Sequence, residues 1–158
     1  MPVDIPPTIA AKIKQFCAYQ ERSHQEVKEK LYGMGLYKSQ VEPMLSILIE
    51  ENYLNEERFA TQFAGGRFRI KNWGKTKIKY ELQLKKVSTA NIKLALSQIN
   101  EDDYLATAHK LAAKKWALLQ KDPVHQRMYK TQQYLLQKGF ESAIAKQAAD
   151  KAAANTTS

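Results

Sequence analysis

The sequence is short of the residues that most chemistry needs. It has one cysteine, Cys17, so no internal disulfide framework holds the chain together. That residue reads as a small buried apolar side chain rather than a reactive thiol. Three histidines, His24, His109 and His125, lie far apart and form no His-x₃-His or Cys/His cluster, which leaves no metal site to argue. No glycine-rich phosphate loop is present; Gly74-Lys75-Thr76 lacks the upstream glycine, and its resemblance to such a loop is a chance echo. No apolar run approaches the ~20 residues of a membrane span, and MPVDIPPT has no apolar core of a signal peptide. The expectation is a cytoplasmic, non-enzymatic protein without cofactor or metal. Acid is also scarce: 16 Asp and Glu stand against 25 Lys and Arg, a net charge of +9.

What is present is helical periodicity. Nowhere is there a sustained period-two strand pattern, so the fold class is all-α. Ile9, Ile13 and Phe16 share one side of a first helix that Thr8 could cap and that runs to Tyr19. Ser23 with Glu26 forms a capping-box signal ahead of Val27 and Leu31, and Gly33-Met34-Gly35 stops that helix. Ser39 is the next cap, before a stripe of Val41, Leu45, Leu48 and Ile49. Asn55 with Glu56 and Glu57 opens a long helix striped by Phe59, Phe63 and Ile70. Gly65 and Gly66 within it suggest close helix packing or a kink. Beyond Asn72-Trp73-Gly74 comes a helix with Ile78 and Leu82. Ser88 or Thr89 then caps one bearing Ile92, Leu96 and Ile99. The signal beginning at Asn100 opens a helix carrying Tyr104, Leu105, Ala108, Leu111, Ala112 and Leu118. Residues 124–138 form a helix with Met128, Leu135 and Leu136, stopped by Gly139, and an alanine-rich helix follows over 141–153.

These helices repeat. Ser23, Val27, Leu31, Gly35-Leu36 and Val41 match Gly74, Ile78, Leu82, Lys86-Val87 and Ile92 at a constant offset of 51. A weaker third copy runs Leu135, Gly139-Phe140, Ile144, one residue shorter in its last interval. Each unit is too small to bury a core alone, so neighbours must stack. The expected architecture is an elongated, curved array of three tandem three-helix repeats over residues 8–53, 54–99 and 100–153, with flexible ends at 1–7 and 154–158.

Charge is segregated along the chain. Residues 21–57 are net acidic, whereas Arg67, Arg69, Lys71, Lys75, Lys77, Lys79, Lys85 and Lys86 face Glu81 alone, and the last third is basic again. Clustering of this kind favours an anionic partner, nucleic acid first. The candidate contact residues are those eight together with Arg58, Lys114, Lys115, Arg127 and Lys130. Lys75, Lys79 and Lys86 lie together in projection around the Ile78/Leu82 stripe while Lys77 points away. A recognition helix would gather its base-reading groups on one outer face. Cations spread around the helix suit loose, salt-dependent phosphate contact, with a log–log slope of about −6 if eight phosphates of a single strand were neutralised. Tyr80, Trp73 and Trp116 could stack on bases, although aromatics at helical spacing usually belong to cores.

The runs RSHQEVKEKLYGMGL (22–36), NYLNEERFATQF (52–63) and WGKTKIKYELQLKKV (73–87) resemble the RecX family of bacterial recombinase regulators. The most specific piece is Leu54-Asn55-Glu56-Glu57-Arg58-Phe59-Ala60. Lys86 departs from the pattern, standing where the second turn usually has glycine. The resemblance implies tandem three-helix repeats that bind the RecA filament on single-stranded DNA and inhibit ATPase, strand exchange and co-protease activity. It implies a monomer without membrane attachment and no catalytic residues. The runner-up is a stand-alone, sequence-indifferent nucleic-acid-binding module. Arg58 reads either as an ion pair to a neighbouring helix or as a partner contact.

Overall fold

The computed structural model describes residues 4–155. Among these, every regular element is a helix: α1 Pro7–Tyr19, α2 His24–Gly33, α3 Lys38–Glu50, α4 Glu56–Lys71, α5 Lys75–Leu84, α6 Thr89–Ser97, α7 Glu101–Leu118, α8 Val124–Gln137 and α9 Ser142–Asn155. The expectation of an all-α chain is met. The expected flexible ends fall partly outside the described residues; of the remainder, Pro7 is the first residue of α1, and Ala154 and Asn155 are the last of α9.

The chain divides into two compact units, one of residues up to 63 with 82–95, the other of 64–81 with the residues from 96 onward. In the first, Ile13, Cys17, Val27, Leu31, Leu36, Val41, Met44, Leu45, Leu48 and Leu54 form one apolar cluster. Each such side chain contributes about 1.5–3 kcal/mol when fully buried. In the second, Phe68, Tyr104 and Phe140 stack in sequence, with ring centroids 5.7 and 5.1 Å apart. Small side chains pack α7 and α9 beside them: Ala108 and Ala112 on α7, and Ala145, Ala148, Ala149 and Ala152 on α9, are all buried. Residues this small let helix axes approach closely.

One turn closes four helices: at the end of α3 the amides of Tyr53 and Asn52 reach Leu48 O and Ile49 O with Asn52 at φ +64°, and the three copies of the sequence repeat close in the same way. The amide of Leu36 reaches Leu31 O while that of Gly35 reaches Tyr32 O; Val87 and Lys86 do the same to Leu82 and Gln83, and Phe140 and Gly139 to Leu135 and Leu136. Each is a helix C-terminus closed by a left-handed residue, at φ +94° for Gly35, +63° for Lys86 and +99° for Gly139. Five residues beyond Leu36, Val87 and Phe140 lie Val41, Ile92 and Ala145, each buried. The third copy is therefore not one residue short: Ala145, not Ile144, holds the inward position.

Other details differ from the sequence pattern. Pro6 precedes α1, so Thr8 is not its cap, and α3 is capped at Tyr37, whose amide donates to Gln40 Oε1 at 2.8 Å. Ile49, Ile70, Leu118 and Leu136 are exposed, whereas Met44, Phe68 and Trp116 are buried. Ile70 fails because the inward side of α4 changes along its length. Phe68, nine residues and half a turn from Phe59, is the buried aromatic of its second half. A Cβ on Gly65 would first meet the Arg69 guanidinium of its own helix, at 2.7 Å, and one on Gly66 would meet nothing, so Gly66 serves no close helix packing.

Glu56 joins α4 to the start of α6. Its carboxylate accepts from the Ser88 amide at 3.1 Å and from Asn91 Nδ2 at 2.7 Å. Burial works to raise its pKa, but these bonds outweigh burial and hold it below the ordinary value of 4.5. The stability this carboxylate adds is thus complete above the unfolded-state value and is lost as pH falls through the folded one. In chemical denaturation, Glu56→Gln is expected to be less stable than the parent at pH 7, with the gap closing as pH drops below 4.5. A left-handed lysine costs ~1–2 kcal/mol relative to glycine, partly offset by glycine's greater freedom when unfolded. Lys86→Gly is therefore expected to raise stability by about 1 kcal/mol and the melting temperature by ~2–4 °C.

Candidate nucleic-acid and partner interface

The fold itself uses many of the predicted contact cations. Arg58 pairs through Nε with Glu21, and its Nη1 and Nη2 donate to Asn52 Oδ1 at 3.1 Å and Asn52 O at 3.2 Å. Asn52 is itself left-handed, at φ +64°. Arg58 thus fastens the turns before α2 and α4, which is the ion-pair reading of that residue. Lys85 pairs with Glu26 at 3.2 Å and lies 5.8 Å from the Phe63 ring centre. Lys130 pairs with Asp122 at 2.7 Å, and Lys115 sits 5.2 Å from the Tyr134 ring. Arg127 Nε donates to Trp116 O at 2.9 Å and its guanidinium stacks 4.0 Å from that indole. Trp116 is only 2% exposed, so base stacking there is excluded.

Lys75 belongs to a partly buried network. Its amide donates to Tyr104 Oη at 2.8 Å, Tyr104 in turn donates to Glu141, and Lys75 Nζ reaches Glu101 at 3.4 Å. Burial, then the Glu141 hydrogen bond, push the Tyr104 phenol well above its ordinary range. The neighbouring amides are engaged too: Gly74 N donates to Lys138 O at 2.8 Å and Thr76 N to Gly139 O at 2.9 Å. The first turn of α5, which would otherwise offer amides to an anion, is filled by the carbonyl end of α8. A Cβ at Gly74 would fall inside the backbone of Gly139 and Phe140, and one at Gly139 would strike Lys77. Gly74 is a docking glycine, not part of a phosphate loop.

The remaining predicted cations face outward. Among the described residues, Arg69, Lys79, Lys86 and Lys114 are exposed and form no ion pair. Lys75, Lys79 and Lys86, grouped by projection, therefore separate into one internal lysine and two exposed ones. Arg67, Lys71 and Lys77 converge on half-buried Trp73, at 5.5, 5.8 and 4.6 Å from its ring centre. Lys138 joins them through a 2.9 Å bond from Nζ to Lys71 O. It lies 67 residues from Lys71 and carries no local signal, so only the fold reveals it. A second grouping also escapes the charge pattern: Arg22 lies 3.7 Å and Lys30 5.4 Å from the Phe16 ring, beside exposed Tyr19.

Elsewhere the titratable groups are structural. Burial pushes the Cys17 thiol up to about 11, and burial followed by the Lys151 charge lowers His109. No group of three or more His, Cys, Asp or Glu among the described residues could hold a metal ion. No described helix is long and apolar enough to cross a membrane. Because Arg58 satisfies three acceptors at a partly exposed position, Arg58→Ala is expected to lower stability by about 1–2 kcal/mol. Arg58→Lys should recover only part of this, since an ammonium cannot reproduce the fork. An unchanged melting temperature for Arg58→Ala would return Arg58 to the partner surface.

Comparison with known proteins gives this arrangement a context. Residues 55–96 match the family model of the RecX second three-helix domain, and residues 101–149 that of the third. A regulatory protein RecX of Prosthecochloris aestuarii is 31% identical over 140 residues, covering 89% of this chain and 90% of that protein. One of Clostridium perfringens is 33% identical over 124 residues, or 76% of this chain and 57% of that protein. One of Oceanobacillus iheyensis is 29% identical over 129 residues and is covered to 47%. The chain thus spans about half the length of these last two relatives. In fold, it is similar to the crystal structure of RecX from Lactobacillus salivarius, with a TM-score of 0.85, 20% identity, and coverage of 93% of this chain and 96% of that one. Another RecX crystal structure gives a TM-score of 0.82 at 24% identity, covering 90% of this chain and 70% of that one. With near-complete mutual coverage by a relative above 30% identity, and a fold built from the same tandem three-helix domains, the chain belongs to the RecX family of regulatory proteins.

Proposed function

We propose that this protein binds the RecA recombinase filament on single-stranded DNA and restrains its ATPase, strand-exchange and co-protease activities. It acts as a cytoplasmic monomer of three repeats over residues 8–53, 54–99 and 100–153, without catalysis of its own. The observation that carries this reading is family membership, through a relative covered over 90% of its length. The charge distribution supports it: once the internal pairs are made, Arg69, Lys79, Lys86 and Lys114 remain outward without an internal acid. Such cations suit an acidic protein surface or phosphate. The absence of catalysis is supported by the engagement of the carboxylates: Glu21, Glu26, Glu56, Glu101, Asp122 and Glu141 are all committed to internal partners.

The test is a single-strand-dependent ATPase assay of the cognate recombinase with this protein titrated in, beside a binding titration on the same strand alone. Inhibition is expected well below the concentration that saturates bare strand. Lys79→Glu/Lys86→Glu is expected to weaken inhibition at least about tenfold with unchanged helical content; it leaves Lys75 in place because that residue supports the fold. Full potency in the double variant would remove these lysines from the contact. Inhibition only at strand saturation would make the protein a nucleic-acid-binding module that competes for DNA.

A further inference from the structure

The lysines around Trp73 differ from those that the fold ties down with an acid. Lys75, Lys85 and Lys130 each have a carboxylate oxygen within 3.4 Å. Lys71, Lys77 and Lys138 have no ion pair among the described residues, although Lys77 and Lys138 are half-buried. Burial, and then the charge of Lys77, lower the Lys138 pKa, so two ammonium groups are held within range of mutual repulsion. An indole attracts cations through its negative face but neutralises none of them.

The fold enforces this gathering. Trp73 is tied by its amide to Arg67 O at 3.1 Å, at the end of α4. Lys138 is brought in by the Gly74 amide on its carbonyl and by its own bond to Lys71 O. The Gly74–Gly139 contact fixes the turn that carries it. The packed backbone therefore brings these residues to one place, where Arg67, Lys71 and Lys77 reach the ring and Lys138 lies beside Lys71.

We infer that Trp73, Arg67, Lys71, Lys77 and Lys138 form a binding site for the phosphodiester backbone of a single nucleic-acid strand, with one unstacked base against the indole. Cations flanking an aromatic plane reproduce the alternation of phosphate and base along a strand. A duplex keeps its bases stacked and offers no free face. A string of carboxylates satisfies the charge but leaves the indole unused. The inference deepens the proposed function, and rests on it, in naming where the filament's strand is met. Strand binding is read without recombinase and inhibition with it, so the two readings can fail separately.

The experiment is a fluorescence titration with an oligothymidylate of about 15 nucleotides at several salt concentrations, using the full chain. Trp116 is buried out of a strand's reach, so a change in emission that Trp73→Phe abolishes reports Trp73. Strand binding is expected to quench it. Lys77→Gln/Lys138→Gln is expected to make the log K against log salt slope shallower by about 1.4, that is ~0.7 for each phosphate no longer neutralised. Lys71→Gln, at an exposed position, should remove ~0.7 and serves if the double variant folds poorly. Trp73→Phe, followed by strand anisotropy, should keep the slope and lose affinity. Unchanged slopes in both glutamine variants would overturn the site. So would equal competition by poly-glutamate, which would mark an acidic-protein surface, or by tripolyphosphate, which would mark a free-phosphate site. Equal competition by duplex would exclude the stacked base. Loss of strand binding with filament inhibition intact would uphold the site and make the filament contact protein-led. Intact strand binding with lost inhibition would overturn the site and leave the filament reading standing.

Discussion

The second unit depends on two backbones lying in direct contact. At Gly74 and Gly139 no side chain intervenes, so the first turn of α5 donates directly to the closing carbonyls of α8. Helix ends each leave several groups unsatisfied, and here the donors of one meet the acceptors of the other with opposite partial charges face to face. Tyr104 fills the remaining place by accepting from the Lys75 amide. Its ring meanwhile bridges Phe68 and Phe140, so the same residue joins the polar junction to the aromatic core.

That junction sorts the positive charge. Lys75 is drawn into the Tyr104 and Glu101 network, whereas Lys77 and Lys138, on either side of the glycine contact, are left near Trp73. In the first unit, Arg58 and Lys85 are likewise absorbed by Glu21 and Glu26. The excess of cations in residues 67–86 therefore describes three populations: internal ties, a cluster around an indole, and the exposed Arg69, Lys79 and Lys86. Only the last two are available to a partner.

The sequence displays what is local. Three helix-ending turns are readable because the left-handed position and the apolar residue after it sit at fixed spacing from a buried leucine. Even the discordant Lys86 is visible, and it takes the glycine conformation. The capping signals at Ser23, Asn55 and Asn100 are equally local, and each accepts the amide three residues on. What tertiary packing decides is not displayed. Ile70 and Phe68 are both apolar on one helix, and which is buried depends on the aromatic partner that Tyr104 supplies. Ala145 outranks Ile144 because the close α7–α9 packing favours a methyl group. Arg58 and Arg69 share a helix in sequence, but only Arg58 has a carboxylate brought to it from 37 residues away.

The junction of α5 with α8 also sets an order of events during synthesis. The Gly74 amide finds its acceptor only once Lys138 has left the ribosome, 64 residues later. At ordinary elongation rates of 5–20 residues per second, this takes roughly three to thirteen seconds. Over that interval the nascent chain presents α5 with its first amides hydrated, and its aromatic residue Phe68 without Tyr104 until about half the wait has passed. The apolar cluster of the first unit, by contrast, is drawn entirely from residues 13–54 and can form early. The most cationic segment thus waits for residues far downstream before it acquires its final surroundings, whereas the first unit's apolar cluster does not.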